Sequence, residues 1–303
     1  MIGRISTQQF SQMGLNSILE AHAQVSKLHT QMGSGKRIQT ASDDPQAAAQ
    51  LSELKSELSR MATLQRNIDS ANSSLSVEES ALASINEGLS RLRELSIQGN
   101  SSAISENERE LLAREIDQLF DHLLSLANTQ SVNDEYIFAG SASATQAYDV
   151  DGQFQGDEQV RQLNIAPGVT IRTGDSGVDV FENIADGANT FAIIRELSSA
   201  LRLGDDVDPL DRRDAIAAAQ AKLDTAMARV NEVRSSTGVR LNRLDDHAEL
   251  NTAFSLQVSK SISSLEDLDF ASAASELSLQ MTSLQAAQQV YVKTQNLTIF
   301  NYL

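Results

Sequence analysis

Cysteine and tryptophan are absent from the chain, and proline occurs only three times in 303 residues. The absence of cysteine excludes disulfides, zinc–thiolate sites and cysteine nucleophiles. Aromatic residues make up only 4% of the sequence. Because alanine, serine, leucine and glutamine are abundant instead, the composition favours long helices that pack through narrow seams over a thick globular core.

Positive charge is also scarce, since 24 basic side chains face 41 acidic ones and the formal net charge is −17. This balance argues against binding to nucleic acid and against adhesion to anionic membranes, both of which attract lysine and arginine. No apolar run reaches the roughly 18 residues of a membrane-spanning helix, so we expect no membrane insertion. The first residues lack the apolar segment and cleavage site of an ordinary signal peptide, so export would need another route.

Helical spacing dominates residues 1–140. Between residues 12 and 32, apolar side chains recur at steps of three and four, which predicts a helix with a coiled-coil seam. Gly33 and Gly35 then break the pattern. We predict that this helix supplies an N-terminal assembly interface, formed by Leu15, Ile18, Val25, Leu28 and Met32.

A second, much longer helix is predicted from Asp44-Pro45 to about Gln98, because aspartate caps a helix and proline suits its first position. Three positions of its apolar register are polar: Gln65, Asn72 and Glu79. After a break at residues 99–101, Ser105 and Glu108 have the spacing of a capping box. The short connection predicts that the helix starting there packs antiparallel to the long one.

Residues 141–204 differ in residue pattern and composition from the rest of the chain. Asp151-Gly152 lies between alternating residues, a pattern typical of a β-hairpin. Pro167-Gly168 predicts a tight turn between two further strands. The stretch 141–210 contains 12 acidic and four basic residues, so much of the negative charge falls here. We therefore predict a small, acidic, β-rich insert.

Helical spacing resumes near Phe191 and restarts at Asp208-Pro209, which repeats the earlier Asp-Pro start. The seam then continues through Leu244 and Ile262 to the last residues. We predict a C-terminal assembly interface there, formed by Leu277, Met281, Leu284, Tyr291, Leu297 and Phe300.

This order predicts a mainly α fold with a small β-rich insert. Terminal helices with matching seams would pair into an elongated antiparallel rod or coiled coil, with the insert at its distal end. We expect assembly segments at residues 1–42 and 258–303, a rod domain built from residues 43–140 and 205–257, and the insert at 141–204.

Patterns that would carry chemistry are weak. Gly33 to Arg37 lacks the earlier glycine and the serine or threonine after lysine that a phosphate-binding loop needs. Asp149 to Phe154 has glutamine and phenylalanine at the fifth and sixth positions of a calcium loop, so a hairpin turn is the better interpretation. His22 and His29 are seven residues apart and suit polar seam positions better than a metal site. We expect no catalytic, cofactor-binding or metal-binding residues and no enzyme.

Short motifs near both ends resemble the flagellin superfamily. They are Arg4 to Thr7, Gln31 to Ile38, Ser42 to Pro45, Tyr136 to Gly140, Leu268 to Ala271, a glutamine-rich last helix, and Leu297 to Leu303. Two details depart from flagellins: Pro45-Gln46-Ala47 stands where flagellins have Ala-Ala-Gly, and the chain ends in Phe-Asn-Tyr-Leu rather than in a leucine-rich tail. The sequence therefore resembles the members that join the flagellar hook to the filament.

This resemblance implies a structural protein of the bacterial flagellum, located outside the cell at the hook–filament junction. It implies export as an unfolded chain through the flagellar type III apparatus, without a cleaved signal peptide. The implied partners are hook-associated protein 1 on the hook side, flagellin, further copies of the chain in a helical ring, and an export chaperone at the C-terminus. No cofactor is implied.

Residues 12–32 and 258–303 have seams but little enclosed core of their own, so we expect them to order fully only on assembly. Three alternatives stay open from the residues alone. The chain could be a flagellin, a secreted or intracellular coiled-coil adaptor, or an enzyme with a site in the insert, although no residue pattern argues for the last.

Overall fold

A computed structural model describes residues 7–131, 134–184, 187–204 and 207–296. The fold is mainly helical, and its elements follow in chain order: α1 (Thr7–Ser34), α2 (Pro45–Gly99), α3 (Glu106–Ala127), β1 (Gln162–Ala166), β2 (Val169–Arg172), α4 (Gly177–Phe181), α5 (Thr190–Leu201), α6 (Pro209–Glu266) and α7 (Phe270–Asn296). The predicted Asp-Pro starts of α2 and α6 are confirmed. The capping box between Ser105 and Glu108 at the start of α3 is also confirmed.

The chain forms two compact units. The first consists of residues 1–61 and 253–303, and the second of residues 62–252. The first unit is wider than the two terminal segments expected from the sequence, because the beginning of α2 and the end of α6 belong to it. The insert does not form a unit of its own but belongs to the second.

Polar pairs align α2 and α6 in the second unit. Asn251 donates to Gln65 at 2.9 Å, Asn72 donates to Asp245 at 3.2 Å, and Arg234 donates to Glu79 at 2.6 Å. Residue numbers rise along α2 as they fall along α6, so the two helices are antiparallel. The polar positions in the apolar register of α2 therefore fix how the two helices align.

The main core of the second unit lies where α2, α3, α5 and α6 meet. Its buried residues from the long helices include Leu82, Leu89, Leu95, Ile216 and Val230. The predicted packing of α3 against α2 is tight, since a Cβ added at Gly88 would lie 2.7 Å from Leu123 Cδ2. A larger residue at position 88 would require the Leu123 side chain to shift.

The predicted turn at Pro167-Gly168 joins β1 and β2, which form an antiparallel two-stranded sheet. Gly168 has φ +74°, a conformation that favours glycine. The sheet places Ile165 and Ile171 in a buried cluster with Ile68, Leu75 and Leu244 of the long helices. The sheet therefore packs beside α2 and α6.

The insert contains the two predicted strands and two helices. Helix α5 confirms the helical spacing that begins near Phe191, whereas the short helix α4 was not predicted. The buried residues of the insert join clusters that contain α2 residues from Ile68 to Leu95, so within the second unit the insert packs against the later part of α2.

The predicted hairpin around Asp151-Gly152 is confirmed as a turn but not as paired strands. Gly152 has φ +71°, and Tyr148 and Phe154 form a single isolated antiparallel bridge. Tyr148 is fully buried, with its ring centroid 4.8 Å from that of Phe191 and 5.6 Å from that of Phe181. The turn therefore serves to insert an aromatic residue into the core rather than to start a sheet.

Candidate assembly interface

Helices α1 and α7 of the first unit form an antiparallel pair. Near the start of α1, the hydroxyl oxygens of Ser11 and Tyr291 lie 3.5 Å apart, and a Cβ added at Gly14 would lie 3.1 Å from Tyr291 Cδ2. Near the end of α1, the Leu268 N–H donates to the Gly35 carbonyl at 3.0 Å. The pairing of the terminal helices is the one that their matching seams predict.

The apolar side chains of this pair fall into two groups by exposure. The half-buried group follows the predicted seams and consists of Ile18, Val25, Leu28, Met32, Leu277, Leu284 and Tyr291. Phe270, at the start of α7, is 53% exposed and lies beside Gly35. The other exposed residues, between 39% and 64% exposed, are Met13, Leu15, Leu19, Leu279, Met281, Val290 and Val292. At about 100° per residue, these exposed positions lie on both sides of the seam of each helix, and we call them together the outer apolar face. In a pair of helices, each helix buries only the side that faces the other, so the second group stays exposed.

The predicted interface residues are divided between these groups. Leu15 and Met281 lie on the outer apolar face, whereas the other described ones are half-buried in the α1–α7 pair. Leu297 and Phe300 lie outside the described residues. The seam pattern selected mostly residues that pack within the chain, and it missed most of the outer face. The signal that could have found that face is the second apolar stripe beginning with Leu15 and Leu19, one helical turn apart.

The segment between α1 and α2 is held against the end of α6. The Arg37 N–H donates to the Glu266 carbonyl at 2.7 Å, and the Arg37 guanidinium donates to the Leu265 carbonyl at 2.9 Å. Ile38 is buried in a small cluster with Ala47 and Leu51. The glycine-bounded motif after α1 thus anchors the helical pair to the rest of the first unit.

Glu266 binds two lysines at this anchor. Its Oε1 accepts from Lys36 and from Lys55, each at 2.9 Å, and its side chain is only 10% exposed. The hydrogen bond from Lys36, followed by that from Lys55, lowers the pKa of Glu266. The carboxylate therefore stays ionised and holds the two lysines together.

Asp43 performs a similar role at the start of α2. Its carboxylate lies 2.8 Å from Lys27 Nζ and accepts the backbone N–H groups of Thr40 and Gln39 at 2.9 and 3.2 Å. Lys27 first, and then these backbone donors, lower the pKa of Asp43 well below its ordinary value. The bend between the helices is thus stabilised by a charged acceptor.

Charge is distributed unequally between the units. By sequence, the first unit has 8 basic and 9 acidic residues, whereas the second has 16 basic and 32 acidic ones. The outer apolar face therefore belongs to a nearly neutral unit. Such a surface meets little electrostatic repulsion from further copies of itself.

Membrane-spanning helices and clusters of metal ligands are both absent from the described ranges. No helix there is long and apolar enough to cross a membrane. No group of three or more histidine, cysteine, aspartate or glutamate side chains there is arranged to hold a metal ion.

Known proteins resemble the chain at both ends and over its length. The model of the bacterial flagellin N-terminal helical region matches residues 5–143, and that of the C-terminal helical region matches residues 221–303. Flagellar hook-associated protein 3 of Escherichia coli strain K12 is 29% identical over 315 residues, and the alignment covers 98% of each chain. The flagellin of Listeria innocua is 23% identical over 280 residues, which cover 88% of each chain.

A solved structure supports the fold. The crystal structure of flagellar hook-associated protein 3 from Legionella pneumophila has a TM-score of 0.65 and 19% identity, and the match covers 71% of this chain and 98% of that one. This likeness supports the fold of the part that it covers, and the two flagellin regions cover most of the chain, including both ends. The chain therefore belongs to the flagellin superfamily.

Proposed function

We propose that the chain is a structural protein of the bacterial flagellum that joins the hook to the filament and provides the surface on which flagellin begins to polymerise. The observation that carries the proposal is the outer apolar face on the paired terminal helices. The alignment with hook-associated protein 3 over almost the whole length supports the junction role in particular.

The size of the outer apolar face supports assembly into a ring better than a single pairwise contact. Burying one large apolar side chain contributes about 1.5–3 kcal/mol, so full burial of the seven residues would contribute roughly 10–20 kcal/mol as an upper estimate. Association itself costs roughly 4–15 kcal/mol in lost freedom. A subunit that contacts neighbours on both sides is therefore bound more strongly than a subunit that contacts a single partner.

The proposed geometry is head-to-tail. Interfaces of that kind propagate, whereas a two-fold symmetric interface closes after two subunits. In this arrangement one side of the ring contacts hook-associated protein 1 on the hook, and the other side accepts flagellin. We include in the proposal that the terminal segments gain their full order on assembly, which would suppress premature association of free subunits.

The family resemblance extends the proposal to the route of export. The chain would leave the cell unfolded through the flagellar type III apparatus, without a cleaved signal peptide, and a chaperone would bind its C-terminal segment beforehand. The outer residues of α7 support this last step, because an exposed apolar helix needs cover before assembly.

Gold labelling of intact flagella tests the proposed location. Antibodies against the second unit should label one narrow band at the boundary between hook and filament. Label along the whole filament would overturn the junction role in favour of a flagellin. Protein confined to the cytosol would instead support a coiled-coil adaptor.

The flagellin alternative has one observation in its favour, the alignment with Listeria innocua flagellin over most of both chains. Polymerisation separates the two functions. Purified filament subunit elongates seeded filaments without limit, whereas a junction protein adds a short cap and then stops.

A further inference from the structure

Glu78, on the part of α2 within the second unit, is a buried acid whose carboxyl oxygens have no partner. Its side chain is 1% exposed, and neither Oε1 nor Oε2 has a hydrogen-bond partner within the described part of the chain. A charged carboxylate in such a place loses its hydration without compensation. Burial of this kind favours the neutral acid.

Arg240, whose charge acts on Glu78, is already engaged by another acid. Asp175, which follows β2 and is 7% exposed, accepts from Arg240 Nη1 at 3.3 Å and also from Arg240 Nη2. Arg240 also donates to the Gly174 carbonyl at 3.2 Å. Arg172 lies 3.8 Å from Asp175. Asp175 is therefore well compensated, and Glu78 is not.

Glu78 and Asp175 line one small cavity of about 70 Å³. The other ionisable groups on its wall are Glu135, Tyr136 and Arg161, and Arg161 is engaged by Glu135 at 2.9 Å. The next residue along α2, Glu79, points to a different partner, Arg234, at 2.6 Å. Arg240 Nε is also buried without a hydrogen-bond partner, but both Nη groups of this arginine bind Asp175. Among the described residues, no cation therefore pairs with Glu78 alone.

We propose that Glu78 is a protonated carboxylic acid at neutral pH and that its proton joins it to Asp175, so that a proton-dependent latch holds the segment after β2 against α2 and α6. The acid supplies the one hydrogen that two neighbouring carboxyl groups need in order to share a buried site. Loss of this proton places two negative charges beside Arg240 and loosens the segment that contains Gly174 and Asp175. This inference does not depend on the flagellar function.

The electrostatics support the same conclusion. Burial, and then the charge of Asp175, raise the pKa of Glu78 well above its ordinary value, while Arg240 opposes them. A group whose pKa is raised on folding contributes stability that is complete below the ordinary glutamate pKa of about 4.3. That stability is lost as the pH rises toward the pKa of the folded protein.

The test compares wild type with Glu78→Gln in the full chain, because glutamine copies the neutral acid and does not titrate. Thermal unfolding of the second unit is followed from pH 5 to pH 9. At pH 5, the melting temperature of E78Q should be equal to or slightly below that of wild type. As the pH rises to 9, the melting temperature of E78Q minus that of wild type should increase by at least about 3 °C. A constant difference across this range would overturn the proposal.

Glu79→Gln is the matched control on the same helix. It removes the ion pair with Arg234 and should show no relative gain in stability as the pH rises. Amide exchange of Thr173 and Gly177, which donate to Arg161 and Phe138 at 3.1 and 2.8 Å, reports directly on the latch. After correction for the intrinsic pH dependence of amide exchange, the exchange of these two amides should become faster with rising pH in wild type but not in E78Q.

A carboxyl ¹³C titration keeps the proposal falsifiable if E78Q folds poorly. In wild type, the Glu78 resonance should remain that of a protonated acid at pH 6, where exposed glutamates are ionised. Asp175→Asn should lower its titration point, because Arg240 is then free to approach Glu78. A Glu78 resonance that titrates near the ordinary glutamate value in wild type would refute the latch.

Discussion

At the scale of single residues, two glutamates of the long helices have opposite electrostatic settings. Glu266 accepts from two lysines, which lower its pKa, whereas Glu78 is buried beside another acid, which raises its pKa. Both occupy helical positions that look alike in the sequence. The difference comes from partners more than 90 positions away along the chain, and local patterns contain no information about such partners.

Replacing Glu266 with glutamine tests the anchor between the segment after α1 and the end of α6. The change removes the charge that Lys36 and Lys55 share, and we expect a local loss of about 1–2 kcal/mol at pH 7. Amide exchange of Arg37 and Leu268 measures this loss, because their N–H groups bond to Glu266 and Gly35 across the anchor. The exchange rates should rise by roughly 5- to 30-fold.

The pH dependence of this effect has a definite sign. Since the pKa of Glu266 is lowered on folding, its contribution is present above the ordinary glutamate pKa and is lost as the pH falls through the lower, folded value. The difference between E266Q and wild type should therefore shrink below about pH 4.3. Glu276→Gln, on an exposed site of α7, should leave both amides unchanged. Equal protection in E266Q and wild type at pH 7 would refute the role of Glu266.

At the scale of elements, the helices could be predicted well because the residues that cap each helix lie next to its first residue in the sequence. Asp44-Pro45, Asp208-Pro209 and the box from Ser105 to Glu108 each solve the problem of unpaired N–H groups within four residues. Pro167-Gly168 similarly defines a turn by its backbone preferences. Signals of this kind need no knowledge of the rest of the molecule.

The insert was harder to predict because its structure depends on distant partners. Tyr148 lies beside a good turn sequence, yet its ring packs with Phe181 and Phe191 instead of facing a second strand. Asn189 reinforces this packing by donating to the Gly152 carbonyl at 2.9 Å. The alternation of residues could not show that these aromatic side chains meet.

The cap of α3 offers a test at this scale. Ser105 accepts the Glu108 N–H at 3.4 Å, and its own N–H donates to the Glu108 carboxylate at 2.7 Å. Ser105→Ala should cost about 1 kcal/mol in the free energy of unfolding of the second unit, measured by urea denaturation. Ser102→Ala, in the preceding turn, should cost less than about 0.5 kcal/mol. Equal costs for the two variants would show that the cap contributes nothing specific.

At the scale of the whole molecule, most of the negative charge and the proposed assembly surface belong to different units. The second unit holds 32 of the 41 acidic residues, and the outer apolar face lies on the nearly neutral first unit. The sequence could locate the insert's acidity and the terminal seams. It could not separate the face that packs within the chain from the face left open, because both are apolar and only the pairing of α1 with α7 distinguishes them.

Charged substitutions on the outer apolar face test the proposed assembly directly. Leu15→Glu and Met281→Glu change side chains that are 39% and 47% exposed, so the free chain should fold as before. Packing against a neighbour would bury these charges without partners. The double variant should therefore be exported normally, but cells that carry it should grow few or short filaments. Electron microscopy of flagella and gel analysis of secreted protein measure the two outcomes.

The matched control for this last test is Leu111→Glu, which places the same charge on a side chain that is 62% exposed in the second unit. We expect filaments of normal length with this variant, because the second unit is not proposed to pack in the ring. Circular dichroism of the purified chains should be the same for all variants, which excludes misfolding as the cause. Normal filaments with the Leu15→Glu and Met281→Glu double variant would show that the outer apolar face is not the assembly surface, since two buried, unpaired carboxylates are too costly for a packed interface to accept.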